Sequence, residues 1–175
     1  MRLPGLIDPH VHLRDPGHTY KEDWYSGTAS ALAGGYTCVL AMPNTSPPIT
    51  DSSSLENILE AAHGKVHCDY GIHVAGTSNN TSTVPALSDK ASGLKLYLND
   101  TFGDLRLDGL HIVNSHMSAW PDNRPVLCHA ETYMAAAVLM LAVLHRRSVH
   151  ICHVSRKEEI DLIRPLEAAE KMSGK

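Results

Sequence analysis

No stretch of this chain is apolar for long enough to cross a membrane, and no basic-then-apolar leader opens it. Both absences predict a soluble, cytoplasmic protein. Charge is sparse as well: Asp, Glu, Lys and Arg make up 19% of residues and the net charge is -4. Neither a nucleic-acid partner nor an anionic membrane surface is indicated by that balance. Cysteine is present four times but never in CxxC spacing. Cys38, Cys68, Cys128 and Cys152 each sit in an apolar, strand-like run and read as reduced core thiols. The sequons at Asn44, Asn79, Asn80 and Asn99 carry little weight without a secretory signal. No linker, low-complexity tract or short-period repeat divides the chain. It reads as one domain over residues 1–175, with 43% hydrophobic residues to fill a core. Histidine, by contrast, occurs twelve times. Which of the twelve are ligands is the main question the sequence poses.

The most informative stretch is Leu6-Ile7-Asp8-Pro9-His10-Val11-His12-Leu13-Arg14-Asp15-Pro16-Gly17. A short apolar run leads into two histidines one residue apart, with an arginine two residues later. On an extended strand, side chains at i and i+2 share a face. His10 and His12 can thus address one metal ion, and Arg14 continues the alternation. Pro16-Gly17 ends the strand where it opens into a loop, the place of active sites in barrel enzymes. A lone histidine on an apolar strand is usually a satisfied core residue. Three polar groups at period two on one short strand are hard to bury without a ligand. Imidazole suits zinc and similar ions.

Five further strand-like runs follow. Thr19 and the acidic Glu22 and Asp23 predict a helix over Tyr20–Ala33, stopped by Gly34-Gly35. A β-rich run at Tyr36–Met42 follows, buried on both faces by its composition, and then a proline-rich loop containing Asn44. Asp51 caps a helix through His63. A strand covers Cys68–Val74, and Thr77–Ser88 is connection. Gly93–Leu98 is an apolar strand with Lys95 in its middle. Such a lysine needs a partner or a lowered pKa, unless it guards an edge strand. Asn99–Asp104 is a loop holding Thr101 and Phe102, and a weaker helical pattern covers Asp108–Trp120. Pro125–His129 and Val149–His153 are short strands ending in histidine, each followed by a helix. His150 and His153 fall on opposite faces of a strand, so at most one is expected at the site, and His153 lies at the carboxyl end. His18, His63, His67, His73, His111, His116 and His145 read as surface or structural residues. Six β–α units in regular alternation imply a parallel sheet wrapped by helices. Ligand-like residues on units one, four, five and six suit an α/β fold of the TIM-barrel kind, a partial (β/α)8 barrel with about six of its eight units.

HxH on the first strand, lysine on the fourth and histidines on the fifth and sixth resemble the amidohydrolase superfamily. Within it, His10–Gly17, Ala41-Met42-Pro43-Asn44-Thr45, Gly93-Leu94-Lys95-Leu96-Tyr97, His129-Ala130-Glu131 and His150-Ile151-Cys152-His153-Val154-Ser155 resemble the dihydroorotases. The similarity is greatest to the dihydroorotase domains of the multifunctional pyrimidine-synthesis proteins of animals. The resemblance runs over essentially the whole chain but covers only part of that domain. It leaves the barrel incomplete at both ends and lacks the aspartate that the family carries on its eighth strand.

The resemblance implies a hydrolase that interconverts dihydroorotate and N-carbamoyl-L-aspartate. His10 and His12 would hold one zinc, and His129 and His153 a second. Lys95, carboxylated by carbon dioxide, would bridge the two as a carbamate. Arg14 and Asn44 would grip the substrate carboxylate, with Thr101 and Phe102 on a loop that closes over it. Cys152, beside His153, reads as a packed thiol within reach of the metal. Neighbouring domains of a multifunctional protein and a homo-oligomer are the implied partners. Hydantoinases, dihydropyrimidinases and allantoinases share the metal frame but act on rings without that carboxylate, and Arg14 argues against them. The other reading is a non-catalytic fragment with a binding or assembly role, since the aspartate is absent.

Overall fold

The computed structural model describes residues 3–101 and 104–172. Its strands are β1 Leu6–Val11, β2 Tyr36–Ala41, β3 Asp69–Ala75, β4 Gly93–Tyr97, β5 Val126–His129 and β6 Val149–Cys152. They form one parallel sheet in chain order. The helices are α1 Trp24–Ala33, α2 Ser52–Ala62, α3 Leu110–Ala119, α4 Tyr133–His145 and α5 Lys157–Met172. The architecture is therefore the expected partial α/β barrel of six parallel strands. One unit departs from the expected alternation. The connection after β3 carries a 3₁₀ turn at Val84–Leu87 instead of an α-helix. Pro85 sits in its first turn, where proline is tolerated, and the buried Asn80 ties it down by donating to the carbonyls of Thr50 and Ala75.

The helix ends show why the chain breaks where it does. α1 begins at Trp24 instead of Tyr20, because Asp23, and not Thr19, caps it by accepting from the Ser26 N–H at 2.7 Å. Asp51 and Ser54 form a reciprocal capping box at the start of α2. Gly35 follows α1 at φ +89°, a conformation that costs glycine little. β2 is less buried than its composition suggested, with Thr37 exposed and Val39 and Ala41 buried.

β4 lies at the centre of the sheet with all five residues buried. Leu94 and Leu96 join the large core between sheet and helices, which also holds Trp24, Ile58, Val74, Val113, Trp120, Val126 and Val138. Lys95 and Tyr97 take the opposite side, as the strand period requires. Met42, Leu127 and Cys152 form a separate small cluster. The sheet is strongly curled. His10 at the end of β1 and His153 after β6 bring their Nε2 atoms to 3.1 Å although five strand pairings separate them. Among the described residues, neither β1 nor β6 has a second neighbouring strand.

Candidate metal centre

β1 supplies the first ligands through an interrupted ladder. Its pairing with β2 shifts register between Asp8 and Val11, where Pro9 has no N–H to donate. Two side chains stabilise the irregular stretch. Asp8 accepts from the His10 N–H at 3.0 Å, and His73 Nε2 lies 3.2 Å from the Pro9 carbonyl. Val11 and Leu13 pack on the large core, leaving His10 and His12 on the other side. The expected alternation holds for these four residues. It fails at Arg14, which adopts φ +60° beyond the end of the strand. The guanidinium still acts on the site: after burial, its charge helps to lower the pKa of His12, and it opposes the rise that burial imposes on Tyr97.

Around His10 the ligand atoms converge in two groups. His10, His12 and His153 place one nitrogen each within 4.8 Å of one another, and His10, His150 and Cys152 do the same with two nitrogens and a sulfur. Zinc–nitrogen bonds of 2.0–2.1 Å at a tetrahedral ion set neighbouring ligands about 3.3 Å apart. The 3.1 Å between His10 and His153 is close to that edge. His12 Nδ1 lies 2.8 Å from Asn44 Oδ1 and donates to it. Because an amide oxygen only accepts, this contact places the proton on Nδ1 and leaves Nε2 free as a ligand. Asn44 is thus committed to orienting a histidine, a role the sequence reading did not give it. His129 stands beside His153 with ring centres 5.1 Å apart. Its Nε2 is buried without a hydrogen-bond partner among the described residues, and Glu131 Oε1 lies 3.4 Å away. A buried imidazole nitrogen left in that state fits a metal ligand.

The structure corrects the expectation that only one of His150 and His153 reaches the site. His150 and Cys152 share the face of β6 that looks towards His10. His153 lies past the strand at φ +56°, which breaks the alternation and swings its ring to the same side. Sequence gives little warning of this, since a left-handed histidine is uncommon.

Lys95 is buried to 1% exposure, and its Nζ lies 2.7 Å from Cys152 Sγ and 5.1 Å from the Tyr97 ring centre. Burial pushes the Cys152 thiol up, and Lys95 opposes that shift. Burial, followed by the positive charge of Lys95 and the neighbouring histidines, pushes His10 down to about 3. His12, His129, His150 and His153 are all lowered, chiefly by burial and with Lys95 contributing. All five imidazoles are neutral near pH 7, the form that binds metal. Thr101 lies apart from them, in a loop depression with Asp100, Asp104, Arg106 and Asp108. Phe102 falls outside the described residues. Sequence reasoning also passed over Tyr97, whose hydroxyl is buried without a hydrogen-bond partner among the described residues. Its place two residues after Lys95, on the same face, was the available signal.

A curled parallel sheet with histidines from β1, β5 and β6 around a buried lysine on β4 is a β/α-barrel frame with side chains that could hold a metal ion. The model of the amidohydrolase family matches residues 1–108, and the chain belongs to that family. Membership implies dependence on a metal, in keeping with the histidine groups above. Over 164 residues the chain is 52% identical to the multifunctional protein CAD of Squalus acanthias, covering 94% of this chain and 7% of that protein. It is 34% identical over 192 residues to the dihydroorotase of Methanothermobacter thermautotrophicus, covering 93% of this chain and 44% of that enzyme. Among solved structures, the inactive dihydroorotase-like domain of the Chaetomium thermophilum CAD-like multifunctional protein superposes with a TM-score of 0.84 at 27% identity. The match covers 95% of this chain and 49% of that one. The chain therefore spans half or less of the length of these relatives. No helix among the described residues is long and apolar enough to cross a membrane.

Proposed function

We propose that this chain forms the metal-binding part of a dihydroorotase, a zinc-dependent cyclic amidohydrolase that interconverts dihydroorotate and N-carbamoyl-L-aspartate in pyrimidine biosynthesis. The observation that carries this reading is the convergence of neutral histidines from three strands on the buried Lys95. Relatives named dihydroorotase and CAD support the substrate. Fold alone does not, since the similar Chaetomium domain is inactive.

An ammonium group among imidazoles that must receive cations is an electrostatic conflict. Carboxylation removes it. The neutral Nζ attacks carbon dioxide, a C–N bond forms, a proton leaves, and an anionic carbamate replaces the cation. His10 and His12 would hold one zinc and His129 and His153 a second, with the carbamate of Lys95 supplying anionic oxygen ligands. Zinc bound there would supply Lewis-acid polarisation of the ring carbonyl and a lowered pKa for the attacking water. Asn44 fixes the His12 tautomer, and Arg14 supplies the cation for the substrate carboxylate. Neighbouring domains, as in the multifunctional relatives, and a homo-oligomer are the proposed assembly.

Calorimetric titration of the zinc-loaded, bicarbonate-treated chain with dihydroorotate tests the substrate. Arg14→Met should weaken binding by about 2–5 kcal/mol, the range for truncating one partner of a buried charge pair, with zinc content unchanged. Equal binding of a neutral hydantoin by the unmutated chain would refute the assignment.

A further inference from the structure

Glu159, on the first turn of α5, is 1% exposed, and it joins two loops. Its Oε2 accepts from the N–H groups of Ser155 and Arg156 at 3.1 and 3.2 Å. That oxygen does what a glutamate at the start of a helix commonly does, closing the first turn. Its Oε1 does something else. It reaches across to the loop after β5 and accepts from the Thr132 N–H at 2.9 Å.

Both loops are ones that carry a proposed ligand to its place. His129 ends β5, three residues before Thr132, and His153 follows β6, two residues before Ser155. Both also contain a non-glycine residue at positive φ, Thr132 at +51° and His153 at +56°. A β-branched threonine rarely adopts that conformation, and it persists only where the surroundings hold it. The neighbouring residue is held in the same manner, because Glu131 N–H donates to Asn99 Oδ1 at 2.8 Å in the loop after β4. A run of side-chain-to-backbone bonds therefore links the carboxyl ends of β4, β5 and β6, the strands of Lys95, His129 and the approach to His153. Glu159 is the charged member of that run. Three N–H groups converge on its carboxylate, which holds its pKa below the usual range, the Thr132 bond having the largest effect.

We infer that Glu159 is a positioning residue which, by bridging the β5 and β6 loops, sets the separation of His129 and His153 for the second metal ion. This rests on the binuclear reading proposed above. The role is specific to one half of the site, because His10 and His12 are held by Asp8, Asn44 and the register shift in β1, none of which touches Glu159.

Two substitutions separate bridging from capping. Glu159→Asp keeps a carboxylate that caps α5 but is too short to reach Thr132. Glu159→Gln keeps the length but places an amide N–H₂ against a backbone donor. Zinc competition titrations of the whole chain should show the first equivalent unchanged in both variants. The second should bind about 10–100-fold more weakly, the usual effect of losing a group that orients a ligand. In the metal-free chain, imidazole ¹⁵N shifts of His129 and His153 should move in both variants while that of His12, held by Asn44, stays fixed. Wild-type affinity for the second equivalent in Glu159→Asp, or equal weakening of both equivalents, would overturn the inference. If the unmutated chain takes up only one zinc, the binuclear reading fails, and unmoved His129 and His153 shifts in the variants would then reject the bridging role independently.

Discussion

His73 shows how much of this site is decided one side chain at a time. It is 1% exposed on β3, its Nε2 meets the Pro9 carbonyl, and its pKa is pushed down to about 4 by burial and then by the Lys95 and His150 charges. A group with a depressed pKa stabilises the fold above its unfolded value near 6.5, and that contribution is lost as pH falls towards 4. The gap corresponds to about 3 kcal/mol at most. Urea denaturation of the metal-free chain at pH 7.5 and 4.5 should therefore show a steeper loss for the unmutated protein than for His73→Gln, which keeps a donor for Pro9 but does not titrate. Equal losses would rule out His73 as a source of acid sensitivity. The sequence placed His73 correctly as structural, yet it could not show that the ring holds the backbone just before His10. That contact spans 64 positions and depends on the curl of the sheet. His10, His12 and Lys95 were legible because strand alternation fixes their side and survives the register shift in β1. The alternation expected at Arg14 and the exclusion of His150 failed for one reason: a positive φ, at Arg14 and at His153, ends the alternation, and no glycine marks either spot.

Elements were easier to read than site residues, since hydrophobic period, caps and stop signals act over a few residues. α2 is the clearest case. Asp51, the Leu55, Ile58 and Ala62 stripe and Gly64 bound it to within a residue. Asp51 accepts from the Ser54 N–H at 2.8 Å while the Ser54 hydroxyl lies 3.1 Å from the Asp51 N–H. Asp51→Ala should cost about 0.5–2 kcal/mol of stability, read as a lower urea midpoint with unchanged slope, and zinc binding should be unaffected. A midpoint equal to that of the unmutated chain would mean that the tertiary contacts of α2 hold its first turn without the cap. α1 was misjudged because two acceptors compete near its start. Asp23, adjacent to the first helical residue, captures the Ser26 N–H, and the buried Trp24 donates its indole N–H to the Asp15 carbonyl at 3.1 Å. The 3₁₀ turn after β3 depends on the long-range bonds of Asn80, which no local pattern encodes.

For the molecule as a whole, a six-stranded half-barrel brings together ligands from its first and last strands. Its edges carry exposed apolar side chains such as Leu6 and Ile7, and α4 exposes Met140, Val143 and Leu144. These surfaces suit the proposed neighbouring domains or a second copy. The central claim, however, concerns the interior: Lys95 becomes an anionic bridge between two zinc ions. Metal analysis of the purified chain, reconstituted with zinc in ¹³C-bicarbonate and read together with its ¹³C spectrum, tests it directly. The account predicts two zinc ions per chain and a carbamate carbon resonance, with both the resonance and one equivalent of zinc lost in Lys95→Ala. One zinc or fewer, unchanged by bicarbonate and unchanged by Lys95→Ala, would contradict it.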